Sequence, residues 1–279
     1  MIGRKYQSLE KIGQGAFGSV YRGQNAKTGE MVAIKQGTAD SLLKHETTIL
    51  NYLYKSGCRN VPIVYWFGSY TDGTALVVPL YQHSLTDVFS EKNVEPRAKN
   101  IDKIDDIMAC LISGLGAIHR TGIIHRDIKP DNIMYNKSSG EFVFIDFGFA
   151  TSYKSDNGRH IEYKDGNAEL IGSPKYASIH IHMGLEPTRR DDSISLGYVY
   201  LYMLFGELEW VPTNIVYSHC NNNNNRSSLM NPRLLRIASA KSLESIATLT
   251  KLHENIYRYL DICYQLEFEE GIGEYQWFI

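Results

Sequence analysis

The pattern of hydrophobic and polar positions divides the chain into a first part rich in strands and a second part rich in helices. Short segments with many Val, Ile, Tyr and Ala residues, separated by glycines, are typical of strands. Within this first part, residues 41–57 repeat apolar side chains at helical spacing and end at Gly57, which predicts one helix. The strand-like segments are 6–13, 19–25, 31–36, 61–68 and 74–79.

Helical patterns dominate from about residue 85 onward. Residues 101–118 carry eight apolar side chains with the spacing of one helix face. Residues 193–206 are apolar nearly all round, as expected for a helix at the centre of a helical domain, and residues 249–266 are the last candidate helix. We therefore expect an α+β fold with an N-terminal lobe of residues 1–79 and a C-terminal lobe of residues 80–279.

Composition narrows the class of protein. A chain of 279 residues with 43% hydrophobic and 22% charged residues is ordinary for a globular protein with a sizeable core. The net charge of −2 provides no basic surface for nucleic acid. Four cysteines without C-x-x-C spacing argue against a zinc site and favour a reducing compartment.

No signal-peptide pattern opens the sequence, and no stretch of about 20 apolar residues could span a membrane. The expected location is the cytoplasm, with the nucleus as the alternative. We expect neither a nucleic acid nor a membrane as partner, and we take a monomer as the default. The asparagine run at 221–225 lies in a polar region that we interpret as a surface loop without function of its own.

Residues 13–20, GQGAFGSV, fit the pattern G-x-G-x-x-G-x-V. Glycines allow backbone N–H groups to approach phosphate oxygens because no Cβ stands in the way. The alternative is a tight hairpin that binds nothing. A dinucleotide-binding loop would be followed by a helix, whereas residues 19–25 look like a strand, which argues against dinucleotide binding.

Lys35 ends an apolar strand, and Glu46 lies in the predicted helix that follows. A pair between these two side chains would hold the lysine ammonium over phosphate groups. The alternative is that Lys35 extends into solvent and that Glu46 lies on a solvated helix face.

Residues 125–132, HRDIKPDN, fit H-R-D-x-x-x-x-N. Charges between buried elements cost free energy unless they are paired, bind a metal or perform chemistry. Asp127 would orient an acceptor hydroxyl and take its proton, and Lys129 would neutralise charge on the transferred phosphoryl group. Asn132 would supply an oxygen to Mg²⁺. The alternative is a charged turn with internal ion pairs.

Asp146 follows the apolar segment 142–145, where an ionised carboxylate is costly unless a cation meets it. A divalent metal that bridges nucleotide phosphates is the natural counter-ion.

Taken together, the glycine-rich segment, the Lys35–Glu46 pair, the HRDIKPDN segment and Asp146, in this order, resemble a eukaryotic-type protein kinase over nearly the whole chain. The resemblance implies a bilobal kinase fold, one kinase domain over residues 1–279, and ATP with Mg²⁺, or alternatively Mn²⁺, as cofactors.

Residues 172–203 resemble the casein kinase 1 group, in which S-I-N replaces the A-P-E of most protein kinases and RRDD precedes SLGYV. Here the sequence is S-I-H, so His180 departs from the pattern. The short separation of Lys35 and Glu46 and residues 84–89 and 257–271 are also similar to that group. The vaccinia-related kinases are a neighbouring branch that remains open.

The resemblance implies further roles. Asp192 would hold the backbone of the catalytic loop, although an acidic residue at a helix start is favourable in any case. Val78 would gate the pocket behind adenine, while Pro79 would offer its carbonyl and Tyr81 its N–H. The ATP-binding set implied is Ile12, Gly13, Gln14, Gly15, Ala16, Phe17, Gly18, Val20, Ala33, Lys35, Val78, Pro79 and Tyr81.

Substrate choice follows from the same resemblance. Lys129 resembles Ser/Thr-specific enzymes, so we expect protein substrates phosphorylated on Ser or Thr. Lys175, Arg189 and Arg190 match an anion site, which implies a preference for acidic or already phosphorylated sequences. In the alternative, the arginines pair with carboxylates of their own chain, namely Glu186, Asp191 or Asp165. The resemblance also implies basal activity without phosphorylation of the activation segment, residues 149–177.

Two other classes of protein remain as alternatives. A pseudokinase or scaffold would bind nucleotide or protein without catalysis, but it would normally lack one of the motif side chains. All four are present here: Lys35, Asp127, Asn132 and Asp146. A small-molecule kinase of related fold would usually lack Lys129 and the helix RRDDSISLGY.

Overall fold

A computed structural model describes most of the chain. It covers residues 1–15, 18–37, 40–90, 101–163, 170–206, 208, 210, 240–242, 245–247 and 253–271. The asparagine run lies outside these ranges. None of the helices in the described part of the chain combines the length and apolarity needed to cross a bilayer.

The N-terminal part forms one antiparallel sheet of five strands in the order β1-β2-β3-β5-β4. The strands are β1 (Tyr6–Gly15), β2 (Gly18–Asn25), β3 (Met31–Gly37), β4 (Trp66–Tyr70) and β5 (Gly73–Pro79). The predicted helix is α1 (Asp40–Lys55), between β3 and β4.

The predicted strand at 61–68 is wrong for its first half, because β4 begins only at Trp66. Pro62 has no backbone N–H and a fixed φ, so this stretch cannot join a regular hydrogen-bond ladder. Tyr65 alone makes a backbone contact to the sheet, donating to the Val77 carbonyl at 2.9 Å.

Alternation along β3 decides which side chains face the rest of the molecule. Val32 and Ile34 have no exposed surface and pack in a small outer cluster with Val77. Ala33 packs against the main core from the other face, where Leu76 is also buried. Because Lys35 has the same parity as Ala33, its side chain is directed toward α1 and the C-terminal part.

The C-terminal part is mainly helical. Its helices are α2 (Leu85–Val88), α3 (Ile101–Arg120), α4 (Ile179–His182), α5 (Arg189–Phe205) and α6 (Glu254–Gln265). Of the eight apolar side chains predicted to form one face of α3, five are buried and three are partly buried against the same core. Helix α5 is buried nearly all round, as its sequence predicts. The predicted last helix begins at Glu254, and residues 249–252 lie outside the described ranges.

Two small sheets of short strands lie between these helices in the sequence. One sheet pairs β6 (His83–Ser84), β8 (Ile133–Asn136) and β9 (Glu141–Phe144), and another pairs β7 (Ile123–Ile124) with β10 (Thr151–Ser152). The segment before β8 and the segment after β9 therefore leave neighbouring strands at the same end. This register brings residues 125–132, which contain Asp127 and Asn132, close to Asp146.

Candidate active site

Lys35, Glu46 and Asp146 form a buried charged cluster between the two parts of the chain. Lys35 Nζ lies 2.6 Å from Glu46 Oε1 and 2.9 Å from Asp146 Oδ1. The side chain of Glu46 is 2% exposed and that of Lys35 is 16% exposed. The structure thus excludes the alternative in which both side chains are merely solvated.

Lys35 is the shared partner of two carboxylates, although burial and the neighbouring Asp146 raise the pKa of Glu46. Burial works to lower the pKa of Lys35, but Glu46 and Asp146 outweigh it, and the pKa is raised above its ordinary value. Burial likewise works to raise the pKa of Asp146, but Lys35 holds it below its usual range. Lys35 is therefore a fixed cation beside an ionised Asp146, which suits an anionic ligand such as a phosphate chain.

Helix α1 is tied to the segment after Asp146 by backbone contacts. Glu46 Oε1 also accepts a hydrogen bond of 3.3 Å from the Phe147 backbone N–H. His45 Nε2 lies 2.7 Å from the Ala150 carbonyl oxygen. These contacts hold Glu46 in the position from which it reaches Lys35.

Asp127 is 5% exposed, and its carboxylate is held from three directions. Oδ2 accepts from Lys129 Nζ at 2.6 Å and from Asn132 Nδ2 at 2.9 Å. Oδ1 accepts from the Ser173 backbone N–H at 2.9 Å. Lys129 Nζ also donates to the Ser173 hydroxyl oxygen at 3.0 Å, so a hydroxyl group already fits beside these two side chains.

Asn132 and Asp146 present the oxygens that a divalent metal would need. Asn132 Nδ2 donates to the backbone carbonyl and to Oδ2 of Asp127, both at 2.9 Å, which leaves Oδ1 on the other side of the amide. Among the described residues, neither Asn132 Oδ1 nor Asp146 Oδ2 is used in a hydrogen bond.

The donor set fits Mg²⁺ bound with phosphate. Hard divalent cations prefer oxygen ligands, and Mg²⁺ is usually held by one or two side chains together with substrate phosphates and water. No cluster of three or more His, Cys, Asp or Glu side chains in the described ranges could hold a metal alone. A site in which Asn132 and Asp146 supply two oxygens and phosphate oxygens supply others agrees with this preference of Mg²⁺ and with the lack of such a cluster among the described residues.

The backbone is strained where the two loops meet. Arg126 and Asp146 each have φ of 67°, a left-handed conformation that is uncommon outside glycine. Such strain persists only where surrounding contacts fix it. Asp192, on α5, accepts from the backbone N–H groups of His125 at 2.7 Å and Arg126 at 2.9 Å.

Asp192 is 3% exposed, and its Oδ2 lies 3.0 Å from His119 Nε2. Burial works to raise the pKa of this carboxyl, but the hydrogen bond and charge of His119 hold it below its usual range, with a further contribution from the backbone N–H of His125. Asp192 also lies in the first turn of α5, where the helix dipole favours a negative charge. Both predicted roles of Asp192 therefore coexist.

Sequence reasoning missed two residues of this site. His125 links the loops: its Nδ1 accepts from the Asp127 N–H at 3.3 Å, and its Nε2 lies 3.0 Å from the Ile145 carbonyl oxygen. Gly172 has φ of 85°, and a Cβ there would lie 2.5 Å from the Arg126 carbonyl oxygen. The only sequence signal for a role of His125 was its place in the HRDIKPDN motif. For Gly172 the signal was weak: a glycine that precedes the segment SPKYAS.

Comparison with known families settles the class of protein. Residues 6–269 match the family model of the protein kinase domain. The chain belongs to the protein kinase family. This kinase has the bilobal fold predicted for it, and it transfers phosphoryl groups to proteins, using ATP and a divalent metal as the family does.

The glycine-rich segment of this kinase is the β1–β2 hairpin. Gly13 pairs with Val20 and Gly15 with Gly18, while Ala16 and Phe17 lie outside the described residues. At Gly18, where φ is 131°, a Cβ would lie 2.0 Å from the Gln36 carbonyl oxygen, so only glycine fits. Gln14 accepts a hydrogen bond of 2.8 Å from the Ser19 hydroxyl.

The remaining predicted adenine-contacting residues lie on neighbouring strands. Val20 pairs with Lys35, and Ala33 pairs with Val78, so these side chains come from adjacent strands of one sheet. Pro79 pairs with Val32 at the end of β5, and Tyr81 follows it. Ile12 is 45% exposed on β1. Their role in binding ATP remains a prediction.

The three residues of the predicted anion site contact different parts of the kinase. Lys175 Nζ lies 5.7 Å and 5.8 Å from the ring centroids of Tyr176 and Tyr202. The two arginines are joined to residues 266–271, which we call the C-terminal segment. Arg189 donates to the Glu269 carbonyl, and Arg190 Nη1 lies 3.4 Å from the Leu266 carbonyl oxygen.

Arg190 is 6% exposed, and its Nε lies 3.9 Å from Asp191 Oδ1, which is one of the pairings considered as the alternative. Asp165 lies outside the described residues. The C-terminal segment also contacts the activation segment, because Phe268 meets the rings of His160 and Tyr163 edge-on, each at 5.2 Å between centroids. The arginines thus take part in a contact between these two segments.

Proposed function

We propose that this kinase transfers the γ-phosphoryl group of ATP to serine and threonine side chains, with Mg²⁺, as a member of the casein kinase 1 group. The observation that carries the proposal is the contact of Lys129 with both Asp127 and the Ser173 hydroxyl, at 2.6 Å and 3.0 Å. A hydroxyl on a short side chain is accommodated within hydrogen-bond distance of the lysine that flanks the catalytic carboxylate.

The geometry supports a division of labour among the side chains. Asp127 accepts the proton of the acceptor hydroxyl and orients that hydroxyl for attack. Lys129 balances the negative charge that develops on the transferred group. Asn132 and Asp146 would hold Mg²⁺, which would supply positive charge against the phosphate groups of ATP.

Lys35 contributes a fixed positive charge next to Oδ1 of Asp146. Glu46 and Asp146 both contact its ammonium, so its direction is set before any ligand arrives. A preorganised cation requires no reorganisation during the reaction, which is why such groups stabilise charged transition states well.

The preference for acidic or already phosphorylated substrates rests mainly on Lys175. This residue lies two positions after Ser173 in the segment that adjoins Asp127. Arg189 and Arg190 contribute less directly, because both contact carbonyls of the C-terminal segment. We propose that Lys175 meets an acidic or phosphorylated residue of the substrate.

Radiolabelled ATP with Mg²⁺ and an acidic protein such as casein tests the reaction. Wild-type protein should label serine and threonine in an acid hydrolysate, and Asp127→Asn should lower turnover by about 10²–10⁴-fold. Nucleotide binding by Asp127→Asn should persist. Label on tyrosine would refute the Ser/Thr assignment, and labelling no higher than background by both wild type and Asp127→Asn would favour the scaffold alternative.

Matched peptides with and without a phosphoserine upstream of the target serine test the substrate preference. We expect a higher kcat/KM for the phosphorylated peptide, and the ratio should fall toward one in Lys175→Ala. The comparison variant is Lys154→Ala, which removes a lysine that contacts the Tyr153 ring instead. Equal rates for the two peptides with wild-type protein would remove this part of the proposal.

A further inference from the structure

Lys241 has no exposed surface, and in the described part of the chain no carboxylate lies within ion-pair distance of its ammonium. Burying an ammonium is costly unless its donors are satisfied. Its Nζ donates to the carbonyl oxygens of Pro174 at 2.9 Å and Ala177 at 2.5 Å, and it lies 3.2 Å from His182 Nε2. These two carbonyl oxygens and the His182 ring nitrogen surround the amino group, and burial lowers the pKa of Lys241 well below its ordinary value.

Aromatic rings complete the surroundings of Lys241. The Nζ atom lies 4.8 Å from the centroid of the Tyr198 ring and 5.6 Å from that of Trp210. The Trp210 indole Nε1–H donates to the Lys175 carbonyl oxygen at 2.9 Å. Lys241 and Trp210 therefore bind three carbonyls within four consecutive residues.

These carbonyls belong to residues 174–178, which we call the acceptor segment. At the far end of this segment the Ser178 hydroxyl donates to Asp191 Oδ1 at 2.5 Å. Residues 174–178 contain no strand, and helix α4 begins only at Ile179. A backbone that is not paired in regular structure depends on such side-chain donors for its shape.

The acceptor segment begins beside the catalytic carboxylate. Ser173, immediately before it, donates its N–H to Asp127 Oδ1 and accepts from Lys129 through its hydroxyl. The position of residues 174–178 is therefore coupled to that of Asp127 through Ser173. A shift of about 1 Å in such a supporting element is enough to cost on the order of 100-fold in rate.

We propose that Lys241, together with Trp210, is a positioning residue that holds the acceptor segment in the shape that delivers a substrate hydroxyl to Asp127. The proposal depends on the protein kinase activity of the family and not on the casein kinase 1-like specificity proposed above. It concerns binding of the protein substrate and leaves binding of ATP to the groups around Lys35 and Asp146.

Two variants test the proposal. Lys241→Met keeps an unbranched side chain of similar length and removes the two hydrogen bonds to the Pro174 and Ala177 carbonyls, and Trp210→Phe removes only the indole donor. With the protein substrate that wild-type enzyme labels best, we expect KM for that substrate to rise about tenfold in Lys241→Met, since two lost hydrogen bonds correspond to roughly that factor. For Trp210→Phe we expect a rise of about threefold, which keeps the test available if the first variant folds poorly.

Three further readouts separate positioning from general destabilisation. KM for ATP and the slow hydrolysis of ATP without protein substrate should stay within twofold of wild type. Amide hydrogen exchange should accelerate in residues 173–178 and remain unchanged in residues 123–134. Tyr200→Phe is the matched control: it removes a part-buried hydrogen bond from Tyr200 to Asp105 on α3, and should lower stability without raising KM for the protein substrate.

The outcomes are distinct. An unchanged KM for the protein substrate in folded Lys241→Met and Trp210→Phe overturns the proposal. Equal losses in every kinetic parameter, matched by Tyr200→Phe, also overturn it, because they would indicate a purely structural role. Failure of wild-type protein to label any protein substrate would instead count against the proposed function.

Discussion

The carboxylate of Asp192 accepts a hydrogen bond of 2.9 Å from the backbone N–H of Arg126, a residue with φ of 67°. The strained residue immediately precedes Asp127, so helix α5 directly fixes the backbone that carries the catalytic carboxylate. A buried carboxylate with several donors is a rigid support, because moving any donor would leave charge unsatisfied.

Asp192→Asn should weaken this support. The amide keeps the shape of the side chain but presents an NH₂ group where one backbone N–H now donates, so an unsatisfied buried donor results. We expect a loss of about 2–4 kcal/mol in unfolding free energy and a fall in kcat of about 10–100-fold. Denaturant unfolding and steady-state kinetics measure both effects. Asp106→Asn, on the exposed face of α3, should change unfolding free energy by no more than about 0.5 kcal/mol.

Gly172→Ala should impair the same loop from the other side. Its Cβ would lie 2.5 Å from the Arg126 carbonyl oxygen and 3.1 Å from Asp127 Oδ1, so the catalytic loop must shift. We expect kcat to fall at least tenfold, because displacement of Asp127 misaligns the general base. Steady-state kinetics with saturating substrates checks the prediction.

The matched control is Gly140→Ala. Gly140 also has positive φ, at 73°, but a Cβ there meets no atom within 4 Å. This variant should lose about 1–2 kcal/mol of stability from its backbone conformation alone and keep its kcat. Similar kcat values for Gly172→Ala and wild type would show that the close approach of Gly172 to Asp127 has no catalytic consequence.

If Asp146 binds Mg²⁺, the contribution of Asp146 to nucleotide binding should depend on the metal. In wild-type protein, Mg²⁺ should tighten binding of a fluorescent ATP analogue, and chelation should reverse the effect. In Asp146→Asn the Mg²⁺ dependence should shrink at least tenfold, because an ionised oxygen is lost from the site. Equilibrium titrations with and without Mg²⁺ measure this without relying on turnover.

Asp131→Asn is the control for the metal titration. Asp131 is exposed beside Asn132 and accepts from the Thr86 hydroxyl at 3.0 Å, so its charge lies near the loop without belonging to the predicted metal site. Its variant should retain the Mg²⁺ dependence of wild type. Equal Mg²⁺ dependence in Asp146→Asn would argue against the assignment of Asp146 as a metal ligand.

Stability should fall as pH is lowered below about 6.5. Burial lowers the pKa of both His180 and His182 from 6.5 to about 4, so the unfolded chain binds more protons than the native state between these values. By linkage, unfolding free energy rises with pH across this window and is unaffected by these groups above it. For His182, which is 4% exposed, the loss between pH 7 and pH 5 is about 2 kcal/mol.

Denaturant unfolding at pH 7 and pH 5 measures this loss. His182→Gln should remove the part of the loss that comes from His182, about 2 kcal/mol, because glutamine carries no titrating proton. Asp146 and Asp192, whose pKa values are lowered, lose their contribution only below the ordinary range of aspartate, whereas burial raises the pKa values of Glu46 and Asp191, which act in the opposite direction. Because all four carboxyls are common to both proteins, an identical pH dependence in wild type and His182→Gln would contradict the prediction.

Much of this site follows from sequence because its motifs combine local spacing with buried charge. Lys35, Glu46 and Asp146 were expected to need partners, and each is in fact the partner of another. The helices α3 and α5 followed from apolar periodicity in the same way. A short window of residues is enough to predict each helix and each charged position, whereas the pairing of Lys35 with Asp146 spans 111 residues of sequence.

The roles of Lys241 and Gly172 could not be predicted from local sequence patterns. Lys241 contacts Ala177 across 64 residues of sequence, and no pattern around it distinguishes a buried lysine from an exposed one. The requirement for glycine at 172 comes from the Arg126 carbonyl, which only the folded loop brings near. Residues 61–65 failed for the opposite reason: a local apolar pattern predicted a strand where Pro62 prevents regular pairing.

The contact between the activation segment and the C-terminal segment limits how far the chain can be trimmed. Residues 266–271 contact Arg189, Arg190, His160 and Tyr163. Deletion from Leu266 onward would remove the carbonyl oxygens that face the two guanidinium groups and the Phe268 ring that packs on His160 and Tyr163. Attempts to crystallise a shortened protein, or to fuse a reporter to it, should therefore retain the sequence through Gly271.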